Sequence, residues 1–275
     1  MNKEEILKER EFYYSHIFVL FEIVKCLKNR ELCFLSHKGE IPRKTARNMI
    51  AFTIDYLKKH FRWINFDKYS INMYHSVARL KPNTIPVFSY NLRERTKTQE
   101  YKDFKKEFIN FVEGYNLFID LDGKEDFEKC YQEAKEIKKI FDEYKIPYYL
   151  LNSSFKGFHF HVPAEYMPNM EISELLKLIN KVVYNIKGIY DFKTIDLSIF
   201  DLKRVCKVPY SYECSGAICL PLTDVQFNNF SSKMVSMKEV IKNIKIKNRG
   251  LILRTHNLDE KALKENVINF IREFK

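Results

Sequence analysis

The sequence predicts an α+β chain, a helical N-terminal layer set against a sheet, and three observations carry that expectation. Apolar residues at helical spacing fill roughly the first 65 positions. A strand, helix, strand succession runs from Tyr115 to Leu151, and an amphipathic helix closes the chain from Leu258 to Phe274.

Between Lys3 and Leu27, Ile17, Leu20, Phe21 and Val24 recur three or four apart, and Pro42 then opens a second helical run through Met49, Phe52, Ile54 and Leu57. Ile71 to Ala78 alternates and is rich in strand formers, so a strand leaves this layer before Pro82 and Pro86. Residues 91 to 107 concentrate Arg93, Arg95, Lys97, Lys102, Lys105 and Lys106. Two readings of them stand: a solvated face, or a contact to a nucleic-acid template, with Arg93, Arg95, Lys105 and Lys106 as the candidates.

Tyr115 to Leu121 is a short apolar run, and Phe127, Cys130, Ala134, Ile137 and Phe141 then mark one face of a helix ending near Tyr144. Ile146 to Leu151 is a second apolar run, so the succession reads as a βαβ unit with parallel strands. Phe158 to Val162 follows a turn at Lys156-Gly157 and continues the sheet as a hairpin. Leu175 to Val183 reads as a helix, and Arg204 to Val208 and Ile218 to Leu222 as strands. No repeat or low-complexity linker divides the chain, so residues 1–70 are expected as the helical layer of one compact unit with 71–275.

Composition bounds the function. Hydrophobic residues at 45%, with only 7 Gly and 8 Pro, exclude a disordered chain. A formal net charge of +11 suits a polyanionic partner, although the wealth of Lys, Asn and Ile equally suits an A·T-biased genome. Cysteines 26, 33, 130, 206, 214 and 219 form no CxxC pair and follow no secretory signal, so free thiols in a cytoplasmic setting are expected. The apolar stretch Ile17–Val24 contains Glu22 and is far shorter than the roughly 20 residues of a membrane span, so no membrane partner is expected.

Asp120 and Asp122 flank Leu121 near the end of an apolar strand, and strand alternation puts both carboxylates on one side of the sheet. Two hard oxygen donors aimed at one spot suit Mg²⁺ or Mn²⁺; strand-end acids facing solvent are the plainer alternative. After the second strand comes Ser153-Ser154-Phe155-Lys156-Gly157-Phe158-His159-Phe160-His161. Hydroxyls, a lysine and a glycine at a turn followed by a histidine offer donors to a polyphosphate, and Gly157 admits close backbone approach. His161 shares the facing of His159 and competes for its role. Asp196 supplies a third acid, with Asp201 as its rival, and Arg204 and Lys207 follow as cations for phosphates.

The order of these motifs resembles the archaeo-eukaryotic primase superfamily: an acid pair after an apolar strand, a Ser-x-x-Lys-Gly-x-His turn, then an apolar-Asp followed by a basic strand and Pro209-x-Ser211. That superfamily includes replicative primase small subunits, primase-polymerases and the polymerase domain of bacterial end-joining ligases. The resemblance covers Tyr115 to Ser211, and Met73 to Leu80 more loosely. It implies an RRM-like catalytic sheet within 71–275 and a template-dependent nucleotidyltransferase, a DNA primase or primase-polymerase. Asp120, Asp122 and Asp196 would then hold two Mg²⁺ or Mn²⁺ ions. Ser153, Ser154, Lys156, Gly157, His159, Arg204 and Lys207 would meet the nucleoside triphosphate. A single-stranded or primed template is the implied partner. Two positions depart from the pattern: Ser154 stands where a glycine is common, and Glu213 where replicative primases often place a histidine. Zinc is not expected, because Cys206, Cys214 and Cys219 lack a close pair, as does the set Cys26, Cys33 and His37. The rival readings are a gap-filling repair polymerase, a nuclease using the same metals, and an RRM-like module that binds nucleic acid without catalysis.

Overall fold

The structure is a computed structural model, and it describes residues 3–36, 71–82, 107–199, 201–202, 204–213, 215–246 and 251–275. The helical run expected from Lys3 to Leu27 is two helices, α1 (Lys3–Ser15) and α2 (Ile17–Cys26), because His16 between them is extended at φ −76° and ψ 114°. The helix expected from Pro42 to Leu57 and the basic stretch Arg93 to Lys106 lie outside the described residues.

The expectation of an all-helical N-terminal layer needs correction. Leu32–Ser36 is a strand, β1, paired antiparallel with β2 (Ile71–Ser76). An apolar run of five residues is too short for a stable helix, and the edge of β2 satisfies its backbone instead.

β3 (Ala78–Leu80) pairs with β4 (Val112–Tyr115), and β5 (Leu117–Asp122) leads into α3 (Phe127–Glu143). The Asp126 carboxylate caps α3 by accepting the Lys129 N–H, and the helix buries Cys130, Ala134, Ile137 and Phe141 as its spacing requires. β6 (Tyr149–Asn152) and β7 (Gly157–Val162) form the expected hairpin. β7 is antiparallel to both β5 and β6, so β5 and β6 run parallel with β7 inserted between them. The expected parallel pair is therefore a split βαβ unit.

α4 (Ile172–Ile189) returns the chain to the sheet, and residues 194–196 lie along the outer edge of β5 through a bridge between Leu121 and Ile195. β8 (Val205–Lys207) pairs with β2, giving the order β1-β2-β8, and β9 (Leu220–Pro221) closes the order β5-β7-β6-β9. Three helices complete the chain, α5 (Asp224–Asn228), α6 (Met237–Ile246) and α7 (Glu260–Phe274), the first two of them missed by the periodicity. Of these, α7 matches the expected closing helix.

Alternation divides the main sheet. Leu117, Ile119, Leu121, Phe158 and Phe160 face α3, where Phe141 meets Phe160 edge-on at 5.7 Å. One buried apolar cluster runs from Tyr13 to Phe274, so both ends of the chain contribute to the same core. The opposite face of β5 and β7 carries Asp120, Asp122 and His159 toward β2 and β8. Among the described residues no helix is long and apolar enough to cross a membrane.

Candidate active site

Strand register explains how distant motifs meet. Asp120 lies opposite His159 and Asp122 opposite Gly157 across the β5–β7 ladder. A cleft of about 300 Å³ opens between this face and β8, and Asp120, Asp122, Ser153, Ser154, Lys156, His159, Asp196, Arg204 and Lys207 all line it. A more open hollow of about 450 Å³ beside α3 is lined by Lys135, Lys138, Lys139, Asp142, Glu143, Phe227 and Asn228, none of them a residue singled out by the sequence motifs.

Gly157 is required by packing. A Cβ there would sit 1.7 Å from the Leu121 carbonyl oxygen, far inside any contact distance, so no other residue lets β7 begin against the end of β5. This close approach sets the turn next to the acid strand. Ser154 has φ +69°, Ser153 is buried, and Lys156 is exposed on the rim.

Asp120 is half-buried, with His159 Nε2 3.3 Å from Oδ1 and Arg204 Nη2 3.1 Å from Oδ2. Burial works to raise its pKa, but His159, Arg204 and Lys207 together outweigh burial and hold the carboxyl at about 2. The two histidines differ in what stands across the ladder, and of the two His159 is the one that lines the cleft. His161 lies opposite Phe118, not Asp120, and stacks on Tyr149 at 4.6 Å, fully buried, so burial holds it well below the ordinary histidine pKa.

Asp196 arrives by an unexpected route. Its N–H donates to the Asp120 carbonyl at 2.9 Å, and the Asp122 N–H donates to the Thr194 carbonyl at 2.9 Å. The Glu133 carboxylate of α3 accepts the Lys193 N–H at 2.7 Å, the Thr194 N–H at 2.8 Å and the Thr194 hydroxyl at 2.6 Å. Lys187 of α4 donates to the Ile195 carbonyl at 2.6 Å. Asp201, the rival third acid, does not line the cleft; its carbonyl accepts the Arg204 N–H instead.

Among the described residues, no three His, Cys, Asp or Glu side chains are grouped as a ready metal cluster. The reason is visible. Arg204 Nη2 stands between Asp120 and Asp196, 3.1 Å from one carboxylate and 3.6 Å from the other, and Asp122 is paired with Lys124. A guanidinium thus occupies the spot where the two acids converge. Hard oxygen donors already gathered around a cation fit a divalent ion such as Mg²⁺ or Mn²⁺.

Lys207 is nearly buried, and its ammonium donates to the Ser153 carbonyl at 3.0 Å and the Ser154 hydroxyl at 2.9 Å, and pairs with Glu213 at 3.0 Å. Burial pulls its pKa down, but the Glu213 carboxylate beside it more than compensates and holds it above the ordinary lysine value. Of the cysteines weighed for zinc, Cys206 and Cys219 are buried thiols whose pKa burial raises, and Cys214 lies outside the described residues.

Glu133, Lys187 and the pairing role of Glu213 escaped the sequence reading. Glu133 sits on an amphipathic helix among other acids, and only its burial, at 8% exposure, marks it out.

No protein-family model matches the chain. An uncharacterized protein of Methanocaldococcus jannaschii, MJECS07, is 30% identical over 109 residues, which is 35% of this chain and 25% of that protein. The match thus spans about a quarter of the relative's length. The chain is also similar to the polymerase domain of Mycobacterium tuberculosis Ligase D, solved in complex with DNA, with a TM-score of 0.56 over 90% of this chain and 89% of that one. At 12% identity the likeness is one of fold: a mixed helix-and-sheet chain built like a polymerase domain.

Proposed function

We propose that the chain is a metal-dependent, template-directed nucleotidyltransferase of the primase-polymerase type. The observation that carries the reading is the convergence of Asp120, Asp122 and Asp196 with Arg204, His159 and the Ser153–Gly157 turn in one cleft. The fold shared with a polymerase domain supports it, as does the net charge of +11. We read the β5-β7-β6 core, with residues 194–196 along its outer edge, as the RRM-like sheet of that superfamily.

In this reading Asp120, Asp122 and Asp196 hold Mg²⁺ or Mn²⁺. Bound there, two such ions would activate an attacking 3′-hydroxyl and neutralise the leaving pyrophosphate. The chain's own contribution is positioning. Lys156, on the rim, meets the triphosphate first, and the turn behind it presents the Ser153 and Ser154 segment. Arg204 leaves the carboxylates for the phosphates, so that one guanidinium serves both the empty and the loaded cleft. His159, wedged against Phe118 at 5.2 Å and hydrogen-bonded to Asp120, fixes the orientation of that acid and need not act as a general base.

A sheet that merely bound RNA would gain nothing from three acids facing its polyanionic ligand. Extension of a primed strand, as in gap filling, is the alternative form of the reaction to de novo priming. The deciding experiment supplies single-stranded and primed templates with labelled ribo- and deoxyribonucleotides in Mg²⁺ and Mn²⁺. Incorporation only on primed ends supports extension, incorporation without a primer supports priming, and binding without incorporation leaves the non-catalytic module.

A further inference from the structure

We infer that Lys207 and Glu213 form a buried strut that holds the Ser153–Gly157 turn in its working shape, making Lys207 a positioning residue and not a phosphate ligand. The inference rests on the proposed triphosphate cleft and assigns these two residues a role within it.

An ammonium has three N–H donors and no more. On Lys207 they meet the Ser153 carbonyl at 3.0 Å, the Ser154 hydroxyl at 2.9 Å and Glu213 Oε2 at 3.0 Å. None is left for a phosphate. The partner acid is 2% exposed and lines the same cleft. An uncompensated carboxylate there would repel a polyanion, and the ion pair cancels it. The turn also needs holding: Ser154 is at φ +69°, a left-handed backbone that a serine adopts only when its surroundings impose it. The two Lys207 hydrogen bonds fall on this residue and the one before it, tying the turn to β8, while the Ser153 N–H to Gly157 carbonyl bond of 2.9 Å closes it from within.

The strut and a direct phosphate contact predict opposite signs. If Lys207 were a ligand restrained by Glu213, then Glu213→Gln would free it and triphosphate binding would tighten. If the pair is a strut, Glu213→Gln weakens binding, because the ammonium loses its charged anchor. Lys207→Met should weaken binding by about tenfold or more, the scale of a lost charge-assisted contact. Adding Ser154→Gly and Glu213→Gln to Lys207→Met should return affinity to within about threefold of wild type, since glycine takes positive φ unaided and the amide leaves no uncompensated charge in the cleft.

The experiment is titration calorimetry with a non-hydrolysable nucleoside triphosphate and Mg²⁺ on wild type, Glu213→Gln, Lys207→Met and the triple variant Lys207→Met/Glu213→Gln/Ser154→Gly. Hydrogen exchange of the amides of residues 153–157 accompanies it without ligand. Weaker binding in both single variants, recovery in the triple variant, and faster exchange at the turn in both single variants are expected. Tighter binding by Glu213→Gln, or no recovery in the triple variant, overturns the strut. If wild type binds no triphosphate, the proposed function falls. The exchange data still judge the strut, which unchanged protection at the turn in both single variants would overturn.

Discussion

Replacing Glu133 tests whether a residue on the far side of the sheet builds the acid cluster. Its carboxylate accepts three hydrogen bonds from Lys193 and Thr194, at 2.6 to 2.8 Å, two residues before Asp196. Hydrogen bonds to a charged group contribute roughly 1.5–3 kcal/mol each, but these share one carboxylate and do not add. Lys193 is exposed, so water repairs part of the loss. Glu133→Ala should therefore destabilise the fold by about 2–4 kcal/mol, and Glu133→Gln, which keeps one acceptor, by about half of that. The effect on the site is of similar size and is read separately from the effect on the fold. Asp196 is tied to β5 by its own N–H to the Asp120 carbonyl, and a shift of about 1 Å in a reacting constellation costs on the order of 100-fold in rate. Urea unfolding gives the stability, and nucleotide incorporation at a temperature where Glu133→Gln is fully folded gives the rate. A folded Glu133→Gln protein with wild-type incorporation would refute the idea that α3 positions the third acid.

Gly157→Ala should destabilise the protein by about 3 kcal/mol or more, read as a lowered urea midpoint, because its Cβ would fall 1.7 Å from the Leu121 carbonyl oxygen and part β7 from β5. Arg204→Gln should bind Mn²⁺ more tightly than wild type in the absence of nucleotide, as seen by paramagnetic resonance, since it removes the cation between Asp120 and Asp196; unchanged or weaker binding would contradict that placement. Stability should also fall on acidification. Burial holds His75 at about 3 and His161 well below 6.5, so the unfolded chain takes up protons below 6.5 that the native state does not. The stability is intact above 6.5 and declines below it by up to about 1.4 kcal/mol per pH unit for each histidine. His161→Phe should flatten the dependence of the urea midpoint on pH between 6.5 and 5, and an unchanged slope would mean that His161 is protonated in the fold.

Much of this site was legible because its parts obey short-range rules. Strand alternation is enough to put Asp120 and Asp122 on one face, and a turn of Lys156-Gly157 after an apolar run is enough to expect a hairpin. The same alternation could not separate His159 from His161, which share a face; what separates them is whether the residue across the ladder is Asp120 or Phe118. Strand β1 escaped because its partner, β2, lies some forty residues away, and no local pattern reports that edge. Glu133 and Thr194 are 61 residues apart, and charge alone gave Glu133 no distinction from its neighbours on α3. Lys207 reads in the sequence as a cation for phosphates; only the fold brings Ser153, Ser154 and Glu213 around its ammonium.

The most direct measurement is incorporation of labelled nucleotide on a primed template by wild type, Asp120→Ala and Asp196→Ala, each checked for a native unfolding transition. Both alanine variants should fold and show no incorporation in Mg²⁺ or Mn²⁺, because each removes an oxygen donor from the point where the acids converge. Near-normal incorporation by either folded variant, or none by wild type under any of these conditions, would contradict the assignment of this cleft to metal-dependent nucleotidyl transfer.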